Sequence, residues 1–508
     1  MREHKGLVGA ILCIVMLIGV IYSAIRLVPA GPDDEKEAVD SLKVWYTDES
    51  MADYMNAMAV EYHEKGGIRV LPSLHSSSEY IETIYKASVD NDNAPDVFVV
   101  SNDALERAYL SGIASPIDAS DEALNTLIFP QTAIDAVTYG GRKVAYPYYF
   151  ETSALIYNKT YLHDMIAGKL QAESLENAED TDGDGEPDAS EDSYEALDDA
   201  GKEEMIAGVM EETIPPATFD DLLEFADSYD APEGVETIFK WDVRDLFFNY
   251  FFIGNYINMG GPCGDDVSNI NVYNNDAVKA LMLFQKLNGF FAFESSDVTY
   301  DQVVSEFIEG KLIFATATSD IISRIEAASE SGEFPYEYGV AMIPDLSDSM
   351  ESRSLSVTET LVVNGYSNKK SDAEKFAKFL CIDHAGQLYD RTGKLPSKIS
   401  VLDDKDHVGL TAFANEYSYS VPMPKLMTIS NYWLLLEDTF AGVWSGDNSS
   451  KRLQQLAKQL NYQLTGEETD VDYIVLPSDE EEVEYLDEEA LKREALGDQE
   501  SSDSGEQE

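Results

Sequence analysis

An acidic loop near the middle of the chain has the residue types and the spacing of a calcium site. Residues 180–191 read DTDGDGEPDASE, with carboxylates at loop positions 1, 3, 5, 7, 9 and 12 and glycine at position 6. This spacing wraps oxygen ligands around a hard cation and closes the shell with a bidentate glutamate. The predicted structural Ca²⁺ ligands are Asp180, Asp182, Asp184, Glu186, Asp188 and Glu191.

The alternative for this loop is a solvated acidic linker. Residues 171–205 contain 15 acidic residues and one lysine, so chance D-x-D runs are more frequent there. Pro187 also stands where an EF-hand normally has a β-branched apolar residue. Both interpretations place the loop on the surface of the protein.

Familiar catalytic motifs are missing from the sequence. It contains no G-x-S-x-G, no H-E-x-x-H and no G-x-x-x-x-G-K-[ST], and its six histidines show no metal-ligand spacing. The scattered cysteines, Cys13, Cys263 and Cys381, form neither a C-x-x-C pair nor a disulfide framework. We therefore expect a binding protein rather than an enzyme, without an organic cofactor.

The net charge and the length of the chain limit which classes of protein it can belong to. The chain has 96 Asp and Glu against 35 Lys and Arg, a net charge of -61, which would repel a phosphate backbone. Nucleic-acid binding is therefore not expected. With 508 residues, 44% of them hydrophobic, the chain is long enough for two or more lobes.

The N-terminal region predicts insertion into a membrane. Arg2 and Lys5 precede an uncharged run from Leu7 to Ile25, close to the ~20 residues that a spanning helix needs. Residues 1–30 are thus a membrane anchor or a signal sequence. The uncleaved anchor is favoured because the best cleavage site, Val28-Pro29-Ala30, contains a proline. Residues 31–41 form a polar tether, and the rest lies outside the membrane.

The folded part begins with the pattern of an α/β protein. Leu42 to Tyr46 predicts a strand, and apolar residues at helical spacing from Met51 to Tyr62 predict a helix that stops at Gly66-Gly67. Ile68 to Leu71 begins a second strand. The unbroken apolar run Val97 to Val100 is typical of a parallel strand covered on both faces.

Several segments, in this order along the chain, resemble one family. They include LKVWYTDESMADYMNAMAVEYHEKGGIRV, APDVFVVSNDALERAYLSGIASPI, IFPQTAIDAVTYGGRKVAYPYYFETSALIYNK, PPATFDDLLEFA, VSEFIEGKLIFATAT, LSVTETLVVNGYSNKKSDAEKFAKFL, GKLPSK and SNYWLLLEDTF. The chain is similar over residues 42–465 to the carbohydrate-binding extracellular solute-binding proteins of ABC importers, the maltose-binding-protein family. The likeness is interrupted near residues 163–213.

This resemblance implies a two-lobe α/β fold with a central cleft and crossing hinge segments. It assigns residues 42–150 and 353–400 to the first lobe, and residues 151–352 and 401–465 to the second, with an acidic insertion at 163–213. Residues 466–508, which are rich in acids, are expected to form a mostly disordered tail, in which Tyr473 to Leu476 could dock locally. The implied function is capture of an oligosaccharide outside the cell and delivery to an ABC permease, by a monomer.

The resemblance also implies ligand-binding residues. Trp433 falls at the family's late stacking tryptophan and Glu151 at its hydroxyl-binding acid in the crossover. Asp103 falls at the family's loop acid after the apolar run Val97 to Val100, and Asp48 lies in the loop after the first strand. Each has a structural alternative: a core tryptophan, a salt bridge, a helix N-cap and a capping residue, respectively. Weaker candidates are Trp241, Asp245 and Tyr149.

Departures from the family pattern put maltose itself in doubt. Val100 and Ala104 stand where the family often has Trp and Arg, and Asp320 replaces a stacking aromatic residue. Two alternatives follow. One is a protein for a cationic or amino-sugar solute, and the other is a calcium-dependent surface protein that keeps the fold without transport.

The calcium loop makes a direct prediction. Calorimetry should show weak Ca²⁺ binding, near the ~10⁻⁴–10⁻³ M range of extracellular modules. The double variant Asp180→Ala/Asp184→Ala should lose it, because two loop carboxylates are gone. If the variant takes up calcium as the wild type does, the loop is only an acidic linker.

Overall fold

The computed structural model describes residues 41–90, 93–176, 193–291, 298–405 and 407–476. The predicted calcium loop and the N-terminal apolar run lie outside the described residues, so both stay predictions. Within the described ranges, none of the helices has the length and apolar character needed to cross a membrane.

Strands and helices alternate through most of the chain. The strands are β1 Leu42–Tyr46, β2 Val70–Leu74, β3 Val97–Ser101, β4 Thr138–Tyr139, β5 Arg142–Lys143, β6 Tyr146–Asn158, β7 Thr237–Lys240, β8 Asn258–Met259, β9 Ile270–Asn271, β10 Leu312–Thr318, β11 Tyr338–Ala341, β12 Leu355–Val363, β13 Leu395–Pro396 and β14 Val421–Pro422. The helices are α1 Ala52–Glu64, α2 Tyr80–Asp90, α3 Leu105–Leu110, α4 Gln131–Ala136, α5 Lys159–Glu176, α6 Asp199–Thr213, α7 Phe219–Ser228, α8 Leu246–Asn249, α9 Asn275–Phe291, α10 Tyr300–Ile308, α11 Asp320–Ser331, α12 Lys370–Lys378, α13 Leu388–Thr392, α14 Leu410–Tyr419, α15 Tyr432–Trp444 and α16 Ser449–Thr465.

The first three strands form as the sequence predicts. Strand β1 pairs in parallel with β2 on one side and with β3 on the other. Helix α1 buries its Tyr and Met residues, and it ends before Gly66, whose φ of 91° suits a residue without a side chain. Alternate residues of β1 and β3 face two different cores, which is why both strands are buried on both faces.

One long strand joins the two halves of the molecule. The main sheet has the order β2-β1-β3-β12-β6-β10-β7. The first half of β6 pairs with β12 and β13, whereas its second half pairs with β10 and β11. Helix α14 lies against this crossing strand, since Tyr417 stacks on Phe150 with ring centroids 3.8 Å apart. Strand β6 therefore belongs to both lobes.

The second lobe has a core rich in aromatic residues. Phe219 packs against Phe239, Phe251 and Phe252, and Trp444 meets Phe284 at the far side. Helices α9, α15 and α16 supply the apolar faces that cover this core. The C-terminal helices are thus part of the second lobe's core.

The insertion contains a pair of packed helices. Helix α5 starts at Lys159, before the predicted boundary of the insertion, and α6 returns against it. His163 on α5 lies 3.1 Å from the carboxylate of Glu203 on α6. The predicted calcium loop connects these two helices.

The first residues of the predicted acidic tail dock on the second lobe, where the sequence allows Tyr473 to Leu476 to dock locally. Residues 471–476 pack on the second lobe, where the backbone N–H of Ile474 donates to the Tyr273 hydroxyl at 2.7 Å. The hydroxyl of Ser450 donates to the Ile474 carbonyl at 2.6 Å, and Leu476 is buried. A short apolar stretch inside an acidic segment is enough to fix the backbone there. Residues 477–508 lie outside the described residues.

Close backbone contact after β12 yields a stability prediction. A Cβ on Gly365 would lie 2.1 Å from the carbonyl oxygen of Gly112, which cannot move aside easily. Gly365→Ala should therefore lower the free energy of unfolding by about 1–3 kcal/mol, the usual cost of overpacking. Gly386→Ala is the matched control, because its Cβ would meet only Val401 at 3.8 Å. Equal denaturant midpoints for the two variants would contradict this account.

Candidate functional site

Acidic and aromatic side chains share one face of the sheet where the lobes join. Because side chains alternate along a strand, Tyr149 and Glu151 lie on the same face of β6. Glu359 on β12 pairs with Tyr149, and on its other side with Ser101 of β3. This face forms the floor of the candidate site.

Two loops of the first lobe extend this floor. Asp48 and Asp103 follow β1 and β3, and the carboxyl ends of parallel strands meet at one edge. Asp48 accepts a hydrogen bond from the backbone N–H of Ser50 at 2.9 Å and forms an ion pair of 2.9 Å with Lys394. It therefore caps a turn and also reaches the site.

Asp103 is not a helix N-cap in this structure. Its carboxylate accepts a hydrogen bond from the Ser101 hydroxyl, while the cap positions belong to Ser101 and Ala104. Electrostatic interaction with Glu359 places Asp103 beside the floor.

Carboxylates from the second lobe face the floor from the other side. Asp245 and Asp320 both interact electrostatically with Glu151. Asp245 also caps α8 by accepting from the backbone N–H of Phe247 at 2.9 Å. Asp320 accepts hydrogen bonds from the hydroxyls of Tyr300 and Thr318. Both lobes thus supply acids to one region.

The electrostatics of Glu151 identify this region as a cleft. The side chain is exposed to solvent, yet desolvation by the surrounding protein raises its pKa. Lys394 opposes this shift, and the charges of Asp320, Asp48 and Asp245 add to it. Solvent contact together with desolvation is typical of a concave surface, since water touches the group but bulk water is displaced.

Glu359 is the most perturbed acid of the site. Burial raises its pKa to about 7, and the neighbouring charges of Asp103, Asp48 and Glu151 add to the effect. Lys394 again acts in the opposite direction. The Lys394 ammonium also lies 5.8 Å from the centre of the Tyr149 ring, so it sits over the floor.

Trp433 lies at a cavity between the two lobes. The cavity has a volume of about 410 Å³, and its walls include Asp103 and Arg107 of the first lobe and Lys425, Tyr432 and Trp433 of the second. Trp433 is half-buried and its side chain hydrogen-bonds to Glu437. The Trp433 ring meets the Tyr432 ring edge-on at 6.2 Å, and part of the side chain stays open to solvent, where a sugar ring can stack on it.

Trp241 was predicted to bind the ligand, and the structure contradicts this. The side chain is completely buried, and its indole N–H donates to the side-chain oxygen of Asn249 at 2.8 Å. It stacks on Phe239 at 5.0 Å and meets Trp444 edge-on at 5.6 Å. Trp241 is a core residue of the second lobe because neighbouring aromatic rings surround it.

The other predicted cleft residues converge. Glu151, Tyr149, Asp48, Asp103 and Asp245 lie around one floor, and Trp433 shares a cavity with Asp103. Four further residues of this region were not predicted from the sequence: Glu359, Lys394, Tyr300 and Tyr432. Glu359 had a detectable signal, because it is the one charged residue inside the strand LSVTETLVV. The other three residues had none.

Chelation of a metal ion does not explain the acids. Over the described ranges, no group of at least three His, Cys, Asp or Glu side chains could hold a metal ion. The carboxylates are near enough to influence each other's charge but spread along the cleft. The arrangement suits an extended ligand with many hydrogen-bonding groups.

Two α/β lobes joined by a crossing strand, with polar and aromatic side chains between them, define a two-lobe binding protein with a central cleft. The chain belongs to the bacterial extracellular solute-binding proteins, whose family model matches residues 57–414. A maltotriose-binding protein of Pyrococcus abyssi is 21% identical over 366 residues, which are 70% of this chain. The match spans 66% of that relative, slightly less than two thirds of its length.

Solved structures show the same fold. A cyclo/maltodextrin-binding protein in complex with maltotetraose has a TM-score of 0.65 at 20% identity, covering 85% of this chain and 98% of the other. An extracellular solute-binding protein of Staphylococcus aureus in complex with maltose has a TM-score of 0.64 at 18% identity, covering 84% and 98%. The two-lobe α/β fold expected from the sequence is thereby confirmed.

The raised pKa of Glu359 predicts how stability depends on pH. The folded protein keeps a proton there up to about pH 7, whereas the unfolded chain loses it near 4.5. The free energy of unfolding should therefore fall as the pH rises from about 4.5 to about 7. Glu359→Gln should reduce this fall in urea titrations across that range. Burial also raises the pKa of Glu416 to about 7, so Glu416 still contributes to the pH dependence of stability in the variant.

The exposed Glu330 provides the control for this measurement. Glu330→Gln should leave the pH dependence as in the wild type. An unchanged pH dependence in Glu359→Gln would show that Glu359 is not perturbed by its surroundings.

Proposed function

We propose that the protein captures an oligosaccharide outside the cytoplasm and delivers it to the permease of an ABC importer. The observation that carries the proposal is the cavity between the lobes, where Trp433 and Tyr432 of one lobe face Asp103 of the other. An aromatic face can stack on the C–H surface of a sugar ring, and a carboxylate can accept hydrogen bonds from its hydroxyls.

The fold supports capture and release. A ligand that contacts both lobes favours the closed arrangement, because only closure lets both sets of contacts form. Strand β6 crosses between the lobes directly under the site, so Glu151 lies near charged residues of both lobes. Opening returns water to the cleft and frees the ligand for a permease.

The relatives support a sugar as the ligand. The names of the Pyrococcus abyssi relative and of the cyclo/maltodextrin-binding structure state that these proteins bind malto-oligosaccharides. The alternative of a calcium-dependent surface protein follows from the substituted cleft positions, whereas Trp433 and Glu151 oppose it, and its calcium loop lies outside the described residues. Sugar capture is therefore the better-supported function.

The remaining parts of the proposal concern the whole chain. We propose that residues 1–30 anchor the protein to the membrane, with the lobes outside it, in keeping with the extracellular family to which the chain belongs. The protein acts as a monomer, because one chain supplies both lobes of the cleft. It performs no covalent chemistry on the ligand.

Removal of the proposed stacking platform tests the function. A screen of malto-oligosaccharides and other oligosaccharides by thermal shift, followed by calorimetry, should identify a sugar that binds. Trp433→Ala should then weaken its binding by about 1–3 kcal/mol, the usual effect of losing a buried aromatic contact in a site. Glu151→Gln should also weaken it, through the loss of charge-assisted hydrogen bonds.

The control is Tyr366→Ala, which removes an exposed aromatic residue beyond the C-terminal end of β12, away from the cleft. Its sugar affinity should equal that of the wild type. Unchanged affinity in both Trp433→Ala and Glu151→Gln would show that the sugar binds elsewhere.

A further inference from the structure

The cleft has more acids than its cations can neutralise. Its carboxylates come from both lobes and from the crossing region: Asp48, Asp103, Glu151, Asp245, Asp320 and Glu359. Arg107 also lines the cavity beside Asp103. The three other cations that act on these acids are already engaged. Lys394 is paired with Asp48 at 2.9 Å, and Arg324 lies 3.6 Å from Asp320 but 2.9 Å from Asp301. The Lys425 ammonium donates to the backbone carbonyls of Asp135 and Cys263.

Glu151 and Glu359 have no hydrogen-bond donor among the described residues, whereas other shielded acids of the chain do. The carboxylate of Glu416 accepts from the backbone N–H of Ile343 at 3.0 Å, and Asp242 accepts from those of Arg244 and Tyr300. Glu151 is exposed and Glu359 is partly exposed, so water rather than a protein donor solvates their carboxylates in the empty cleft. The two glutamates at the floor are therefore available for a ligand.

A separate feature also points to a ligand at this place. Tyr432 is only 4% exposed, and its hydroxyl has no hydrogen-bond partner among the described residues. It lines the cavity that contains Asp103, which in turn interacts with Glu359. An unpartnered hydroxyl in the wall of the cavity that contains Asp103 is a further polar group that a ligand can satisfy.

The charge distribution selects the class of ligand. Closing the cleft around a neutral sugar would remove water from several like charges without supplying a counter-charge, which is costly. A protonated amine offsets that cost and donates hydrogen bonds to carboxylates. An organic cation suits the site better than a metal ion, because the described acids form no metal-binding cluster.

We propose that the ligand is an oligosaccharide with a protonated amino group, held between Glu151 and Glu359 while a neighbouring ring stacks on Trp433. This inference rests on the proposed function, and it specifies the chemistry of the sugar. In the empty cleft, burial and neighbouring acids raise the pKa values of Glu151 and Glu359, so Glu359 holds a proton below about pH 7. A bound ammonium group would lower both pKa values, and Glu359 would lose that proton when the amine binds.

Three trisaccharides of equal length test the proposal by calorimetry on the full chain at pH 6.5. They are fully deacetylated glucosamine trisaccharide, its N-acetylated form and maltotriose. The amino form should bind at least about tenfold more tightly than either neutral sugar, a difference that one well-placed charged hydrogen bond can supply. Raising the salt concentration should weaken the amino form more than the neutral ones.

Variants separate the cleft from the general negative charge of the protein. Glu359→Gln and Glu151→Gln should each reduce the preference for the amino form about tenfold, after melting curves confirm that they fold. Glu330→Gln, on the exposed side of α11, should keep it. An equal loss in all three variants would assign the attraction to diffuse charge and overturn the proposal.

The remaining outcomes are also decisive. If maltotriose or the acetylated sugar binds as tightly as the amino form, oligosaccharide capture stands and the amino-sugar inference is overturned. If the oligosaccharide screen and these three sugars all give no binding, the proposed function fails, and the inference fails with it.

Discussion

The structure depends on one strand that has to serve two lobes. The first half of β6 pairs with β12 and the second half with β10, so thirteen consecutive residues are held by two sets of partners. Successive side chains of β6 point to opposite faces, so one set packs on helices and the other faces the cleft. Tyr148 and Phe150 turn toward α1 and α14, while Tyr149 and Glu151 face the cleft. The floor of the site is therefore fixed by the same backbone that links the lobes.

Much of the fold could be predicted from short patterns. Strand β1, helix α1 and strand β3 follow directly from apolar spacing and from the Gly66-Gly67 stop, because local patterns decide their ends. Asp48 and Asp103 were found through the resemblance to the solute-binding family, and they lie together because residues after parallel strands meet at one edge. The register of β12 against β6 could not be predicted, and it is this register that places Glu359 beside Tyr149.

Two tryptophans show where sequence patterns stop being informative. Trp241 and Trp433 both stand in segments rich in aromatic or apolar residues, and both were candidates for the ligand site. Trp241 is fully buried against Phe239 and Trp444, whereas Trp433 lies in the first turn of α15 and lines a cavity. The difference is set by contacts between residues that are distant in sequence. Tyr432 and Lys394 were missed for the same reason.

The acids of the cleft would link ligand binding to the closing movement of the lobes. Asp48 and Asp103 belong to the first lobe, and Asp245 and Asp320 to the second, so closure without a ligand brings like charges together. An empty cleft is then held open by repulsion, and Lys394 offsets only part of it because it is paired with Asp48. A ligand with a positive charge replaces repulsion by attraction in the closed arrangement. The same acids that recognise such a ligand would therefore also make closure conditional on its presence, and charge would couple recognition to the movement of the lobes.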